Sequence, residues 1–368
     1  RISLLVMLGF IIGPAMLGVI DPRSSPSFDF IALLALSMVG FLVGGKLHAS
    51  VLRRSGSLIW RVSVYQALFT FAVVAVGLTV CGVSPDLALL LGAISTATDP
   101  AATVDVVRQS KAKGRFAEVL IGVVAVDDAW GLILFSLAVV LVQLLDANGF
   151  AGGIIEHAFY DLTGAILLGV GLGLPMARLS GRIRKGEPTL MEAAGMVMLC
   201  AGIARWLDLS SLLACVVLGI TVTNFAKHHK RPFHALEEVE WPFLAIFFLF
   251  SGAYLTLSSI GTAGLLLMGY LLFRVVGRFG AGLLFAGRDD EDKRIARWMG
   301  VAMLPQAGVA IAMMFEACNL YPALQEVLLP TVITATVVFE VIGPLTTRWV
   351  LGRAKRWAAR SSTAVPGA

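Results

Sequence analysis

The sequence predicts an all-α membrane protein with about twelve transmembrane helices, and three observations support this fold class. Hydrophobic residues make up 58% of the 368 positions and charged residues 14%, with a mean hydropathy of +0.85, whereas soluble domains carry about 25% charged residues. Apolar runs of roughly the 18 to 20 residues that cross a bilayer recur along the whole chain. The connections between these runs alternate in charge. A soluble domain is therefore excluded.

Clusters of polar, glycine, proline or charged residues separate the apolar runs from one another. The predicted spans are roughly 2–20, 29–47, 57–80, 86–108, 115–144, 158–180, 189–206, 210–226, 241–258, 260–287, 294–318 and 325–350. The first run is predicted to be a spanning helix, because it lacks the basic start and small-residue cleavage site of a signal peptide. The chain thus consists of one transmembrane domain, 1–352, and a basic tail, 353–368.

Basic residues are concentrated in alternate connections. One set of connections and the C-terminal tail contain clusters of lysine and arginine, while the other set contains only Arg23 and Arg205. Basic loops stay on the cytoplasmic side of a membrane. Both ends of the chain are therefore predicted to be cytoplasmic, in a multi-pass protein of the cell inner (plasma) membrane.

Two of the spans are interrupted by polar residues and proline. The fourth contains Gly92-Ala-Ile-Ser-Thr-Ala-Thr-Asp-Pro100, and the eleventh contains Gly300-Val-Ala-Met-Leu-Pro-Gln-Ala-Gly308. Proline removes a helix hydrogen bond, so both helices are predicted to be discontinuous. They occupy corresponding places in two five-helix halves, spans 1–5 and 8–12. This pattern predicts inverted repeats with a binding site near the membrane midplane, as in many secondary transporters.

Two adjacent acids lie in the middle of the fifth span. Asp127 and Asp128 follow Arg115 by about 12 residues, which is about 18 Å along a helix. An ionisable group at that depth costs about 2.5 to 3.5 kcal/mol or more, which favours a functional role for the pair. The competing interpretation is an ion pair that only fixes helix packing. Neighbouring side chains point about 100° apart on a helix, so the two carboxylates can have different roles.

Several other charged or polar residues are candidates for supporting this site. Arg274 in the tenth span matches the depth of the acids and is predicted to pair with one of them. Arg278 lies one turn closer to the cytoplasm, where it would pair with Glu118 or Asp105 or extend its guanidinium to the surface. Thr98 and Asp99 lie beside the first helix break, where Asp99 either caps backbone amides or contacts an ion. Glu316 and Glu340 are two further acids in apolar spans. Glu340 is a candidate for a structural ion pair.

These motifs, in this order, resemble the cation/proton antiporter superfamily, and specifically its double-aspartate branch, which includes bacterial sodium/proton exchangers. The motifs are Leu8-Gly-Phe-Ile-Ile-Gly-Pro14, Ala97-Thr98-Asp99-Pro100, Val126-Asp127-Asp128, Arg274 with Gly277, and Leu304-Pro-Gln-Ala-Gly-Val-Ala310. The resemblance covers essentially the whole chain. It implies that Asp128 binds the metal cation or the proton, while Asp127 pairs with the basic residue of the tenth helix, Arg274.

The resemblance also implies a homodimer. The dimerisation panel would comprise about 2–47 and 210–258, and the moving core about 57–144 and 260–350. Several electrogenic members have lysine where Arg274 stands, and arginine does not release its proton. Both electroneutral and electrogenic exchange therefore remain open.

The predicted function is exchange of a monovalent cation, with Na⁺ favoured over K⁺ or Li⁺, for protons. A cation channel and an organic-anion symporter of related fold are the alternatives. An intramembrane aspartyl protease is disfavoured because the chain has no Gly-x-Gly-Asp sequence. Gly169-Val-Gly-Leu-Gly173 lies inside an apolar helix and is not a dinucleotide loop. We therefore predict no enzymatic activity, no cofactor and no nucleic-acid partner, with membrane lipid as the surroundings.

Overall fold

A computed structural model of the protein describes residues 2–20, 26–46, 57–112, 114–146, 152–179, 189–226, 230–254, 264–285, 289–306 and 308–363. Within these ranges the chain is helical and has no strand. The helices are α1 (Ile2–Ile12), α2 (Pro26–Lys46), α3 (Ser57–Val80), α4 (Pro85–Ile94), α5 (Pro100–Gln109), α6 (Arg115–Asp146), α7 (Gly152–Leu179), α8 (Thr189–Trp206), α9 (Ser211–Phe225), α10 (Lys230–Ala253), α11 (Gly264–Leu284), α12 (Asp290–Ala302), α13 (Gly308–Leu320) and α14 (Gln325–Thr363). A 3₁₀ turn, Pro322–Leu324, precedes α14.

The all-α membrane fold is confirmed. Five stretches of the described residues are long and apolar enough to cross a membrane: Ser57–Val80, Arg115–Leu145, Tyr160–Arg178, Gly264–Leu284 and Pro322–Trp357. Five further apolar helical stretches have 10 to 17 residues. The fourth predicted span is two helices, α4 and α5, and the eleventh is also two, α12 and α13. The predicted interruptions are therefore present in both spans.

Three predicted boundaries differ most from the structure. The first span ends early, because Gly13-Pro14 stops α1 and the chain turns through Gly18, whose φ of +62° suits glycine. The helix of the ninth predicted span, α10, begins at Lys230, within the stretch predicted to be a loop, and contains Pro242. The last helix continues to Thr363, so most of the predicted tail extends α14, while residues 364–368 lie outside the described ranges.

The helices form two compact units. The first comprises Arg1–Arg54, Phe135–Ala263 and Ala312–Ile333. Its helices α2 and α9 approach closely because glycine stands on both sides: a Cβ at Gly44 would collide with the Val216 carbonyl, and a Cβ at Gly219 with the Phe41 carbonyl. Small residues allow this close approach in membrane helix pairs, where van der Waals packing holds helices together.

The second unit comprises Ser55–Leu134, Gly264–Ile311 and Thr334–Ala368. It contains both helix breaks, the two aspartates of α6 and the two buried arginines of α11. Gly300 of α12 is packed so tightly on α11 that a Cβ there would collide with the Arg278 carbonyl oxygen. The division into a moving core and a dimerisation panel remains a prediction.

Candidate functional site

The break between α4 and α5 follows directly from its local sequence. Ser95 Oγ donates to the Gly92 carbonyl at 2.6 Å, and Thr96 Oγ1 donates to the Ala93 carbonyl at 2.7 Å, so both side chains bond within the last turn of α4. Pro100 opens α5, and Asp99 caps it by accepting from the Ala102 amide at 3.1 Å. A capping role for Asp99 is thus what the structure shows.

The break between α12 and α13 contacts the first break directly. The Asp99 amide donates to the Pro305 carbonyl at 3.0 Å. Gln306 Nε2 donates to the Ile94 carbonyl at 3.2 Å and to Tyr270 Oη at 3.0 Å. The backbone groups that each interruption releases are therefore satisfied partly by the other interruption, as burial in a membrane requires.

Arg274 binds backbone carbonyls, and this corrects its predicted pairing with Asp127. It is fully buried and donates to the carbonyls of Ser95 at 2.9 Å, Ala97 at 2.9 Å and Leu304 at 2.8 Å. Its guanidinium lies 4.2 Å from the centre of the Phe339 ring. Arginine has five N–H donors, and the two breaks expose carbonyls that accept them. Arg274 therefore connects the two broken helices.

Arg278 is the partner of Asp127. Its Nη2 donates to Asp127 Oδ2 at 3.0 Å, and also to the Thr96 carbonyl, and both side chains are 0% exposed. The expectation that Arg278 extends to the surface or pairs with Glu118 or Asp105 is wrong, because both of those acids are exposed while Arg278 is buried. Arg278 lies one turn from Arg274 on the same face of α11, so a single turn decides which arginine reaches Asp127.

Asp127 and Asp128 are both buried within the long helix α6. Thr98 and Arg274 also act on Asp127. Within the described part of the chain, however, neither Thr98 Oγ1 nor Asp127 Oδ1 has a hydrogen-bond partner. A buried polar atom without a partner costs about 1 to 3 kcal/mol, and such atoms are typical of functional sites. The structure brings Thr98, Asp127 and Arg278 together at the first helix break.

The described residues contain no group of three or more histidine, cysteine, aspartate or glutamate side chains that could hold a metal ion. The assignment of Asp128 as the cation ligand therefore stays a prediction. Any cation bound there would need hydroxyl, carbonyl or water oxygens to complete its shell, and hard monovalent cations accept such ligands.

Several polar residues of the site were not identified from the sequence. Tyr270 and Gln306 connect α11 to the two breaks. Ser63, Gln66 and Thr70 form a buried polar stripe along α3, and each has a side-chain atom without a hydrogen-bond partner among the described residues. Their spacing of three and four residues within an apolar helix is the signal that would have revealed them.

The remaining predicted residues lie at the margin of this site. Glu340 is half-buried on α14, next to Phe339, and its structural ion pair stays a prediction. Glu316 is buried in the first unit.

Apolar helices of membrane length, two interrupted helices that meet, and buried charges at their meeting point define a secondary transporter of the discontinuous-helix type. The chain belongs to the transmembrane family of sodium/hydrogen exchangers, whose sequence model matches residues 1–353.

Individual relatives agree with this family. The chain is 20% identical over 315 residues to the ammonium/H⁺ antiporter subunit AmhT of Alkalihalophilus pseudofirmus, covering 84% of this chain and 78% of that protein. It is 21% identical over 363 residues to the K⁺/H⁺ antiporter subunit KhtU of Bacillus subtilis, covering 94% and 86%. The sodium proton antiporter MjNhaP1 of Methanocaldococcus jannaschii, solved at pH 8, matches with a TM-score of 0.65 and 20% identity over 95% of this chain and 88% of that one. This structural match establishes a shared fold.

Proposed function

We propose that the protein exchanges protons for a monovalent cation at Asp128, with Na⁺ as the first candidate and K⁺ or Li⁺ as the others. The observation that carries the proposal is the pair of buried aspartates in α6, of which Asp127 is bound by Arg278. Membership of the sodium/hydrogen exchanger family supports the same conclusion.

The charge balance at the two helix breaks supports the binding of one positive charge. Asp99, Asp127 and Asp128 contribute three formal negative charges, while Arg274 and Arg278 contribute two positive charges that arginine retains. The remaining formal charge of −1 is neutralised by one proton or by one monovalent cation. A buried site favours occupation by one of them, because an uncompensated charge is costly in a low-dielectric interior.

The contacts also divide the roles of the two aspartates. Arg278 donates to Asp127, so the negative charge of Asp127 is compensated within the protein. Asp128 is the next residue of the helix and points about 100° away from it. We therefore assign the exchanged proton and cation to Asp128 and a positioning role to Asp127.

Competition for one carboxylate is sufficient to couple the two fluxes. A proton and a cation cannot occupy the same carboxylate oxygen together. Asp128 therefore carries either the proton or the cation each time it changes the side of the membrane that it faces. If the carboxylate alternately faces the two sides of the membrane, a gradient of either ion drives the other. Because both arginines keep their protons, this scheme gives electroneutral exchange of one cation for one proton.

We also place the protein in the plasma membrane as a homodimer with both chain ends in the cytoplasm. The alternation of basic and neutral connections supports the orientation, although several of those connections lie outside the described residues.

The test is Asp128→Asn in sealed proteoliposomes loaded with a pH-sensitive dye. The wild type should dissipate a pH gradient when Na⁺ is added outside. The variant should lose at least about 90% of that rate of dissipation, because the asparagine amide does not bind a proton near neutral pH. Asp105→Asn is the matched control, since Asp105 is exposed on α5. Repeating the assay with K⁺ and Li⁺ identifies the cation.

A channel would instead pass current under a voltage without a proton gradient. Normal exchange by Asp128→Asn, or such a current in the wild type, would disprove the exchange mechanism.

A further inference from the structure

A basic groove lies on the second unit, at the end of α12 remote from the helix breaks. Lysine and arginine side chains from two helices line it together with two tryptophans and one acid: Lys293, Arg294, Arg297, Arg353, Arg356, Trp298, Trp357 and Asp290. Its volume is about 970 Å³, at the upper end of the roughly 300 to 1,000 Å³ that small-molecule sites occupy. This basic groove plays no part in the proposed exchange.

Aromatic rings hold two of the arginines in place. The Arg353 guanidinium lies 4.8 Å from the Trp298 ring and 4.6 Å from the Trp349 ring, and Arg294 lies 5.8 Å from the Trp357 ring. Trp298 in turn packs against Trp349 at 5.3 Å and against Trp357 at 6.1 Å. Stacking on a ring face fixes a guanidinium while leaving its N–H groups available to an anion.

The four arginines of the groove are not neutralised by nearby acids. Over the ranges that the structure describes, none of Arg294, Arg297, Arg353 and Arg356 forms an ion pair with a carboxylate. Their neighbour Arg115 differs, since it pairs with Glu291 at 2.6 Å and with Asp292 at 2.7 Å.

Asp290 lies 3.8 Å from Lys293, and both of these side chains are largely exposed. Five basic groups against one acid leave a formal charge of +4 in the basic groove. This excess charge suits an anion rather than a neutral or cationic ligand.

The adjoining surface is suited to acyl chains. Val341, Leu345 and Trp349 are exposed on α14 and follow one another at intervals of four residues. Arg353 and Arg356 continue the same helical face, because residues three and four apart lie side by side on a helix. One face of α14 therefore changes from exposed apolar residues to basic residues, as expected where a helix leaves the hydrocarbon layer.

We propose that the basic groove binds an anionic phospholipid. Its phosphate would lie among Arg294, Arg297, Arg353 and Arg356, and its acyl chains would follow the exposed face of α14. Basic pockets between helices on the cytoplasmic side recognise such headgroups, and the charge pattern of the connections predicts that this end of α12 and α14 is cytoplasmic. A headgroup bound there contacts both α12 and α14. It thereby links α14 to the helix that leads to the second break.

The experiment is native mass spectrometry of the full chain purified in detergent and titrated with phosphatidylglycerol, phosphatidylcholine or inorganic phosphate. Phosphatidylglycerol should be retained at least about tenfold more tightly than phosphatidylcholine. Each basic residue near an anionic lipid contributes about fivefold to affinity, so Arg294→Gln/Arg297→Gln/Arg356→Gln should weaken binding on the order of 100-fold. The corresponding triple lysine variant keeps the charge and should retain most of the binding.

A matched control separates the groove from general surface charge. Arg108→Gln/Arg178→Gln/Arg348→Gln removes three exposed arginines that do not line the groove, and its affinity should change by less than about fivefold. Equal phosphatidylglycerol binding by the wild type and the groove variant would overturn the proposal, as would an equal loss in the control. Displacement of the lipid by an equal concentration of inorganic phosphate would show a phosphate site without a lipid. None of these measurements depends on transport.

Discussion

The ion pair between Asp127 and Arg278 predicts a large and specific energetic coupling. The carboxylate and guanidinium are 3.0 Å apart, and neither side chain is exposed. Removing one partner of a buried pair leaves an uncompensated charge and costs about 3 to 5 kcal/mol. Arg278→Gln and Asp127→Asn are therefore each expected to lower the free energy of unfolding by about that amount, whereas the double variant should lose less than the sum.

The assay is a double-mutant cycle measured by reversible unfolding in mixed detergent micelles, followed by circular dichroism. We expect a coupling free energy of about 2 to 4 kcal/mol for the cycle of Asp127 with Arg278, since the double variant leaves no unpaired buried charge. A coupling free energy of this size is expected for two groups in direct contact, and it is weaker for charges farther apart.

The matched control is the cycle of Asp127 with Arg274. Arg274 donates to three backbone carbonyls, so its replacement by glutamine should destabilise the protein without strong coupling to Asp127→Asn, below about 1 kcal/mol. Stronger coupling of Asp127 to Arg274 than to Arg278 would refute the pairing seen in the structure.

The other predictions concern packing and hydrogen bonds at the same site. Gly300→Ala should lower the free energy of unfolding by about 1 to 3 kcal/mol, because the added Cβ collides with the Arg278 carbonyl. Gly195→Ala, where a Cβ meets open space inside a helix, should not lower it and should raise it by at most about 1 kcal/mol in the same unfolding assay, because alanine favours a helix over glycine. Tyr270→Phe removes the hydroxyl that accepts from Gln306 and should cost about 1 kcal/mol, again measured by unfolding. Wild-type stability of Gly300→Ala or Tyr270→Phe would contradict these contacts.

Hydropathy, proline and charge placement were sufficient to predict much of the fold. The interruptions at Asp99-Pro100 and Pro305 follow from local chemistry, because proline lacks an amide donor and aspartate caps the next helix. The predicted first span was too long, since its apolar composition continues beyond Gly13-Pro14 although the helix stops there. Composition measures compatibility with lipid, and it does not measure where backbone hydrogen bonds end.

The sequence by itself determined that two acids lie deep in a membrane helix and that two other helices are broken, because these features depend only on residue type and order along the chain. The tertiary structure decided which arginine meets which acid. Arg274 and Arg278 are one helical turn apart, so depth along the chain does not distinguish them. Carbonyls released by two breaks about 200 residues apart in the sequence bind Arg274, and this leaves Arg278 to pair with Asp127.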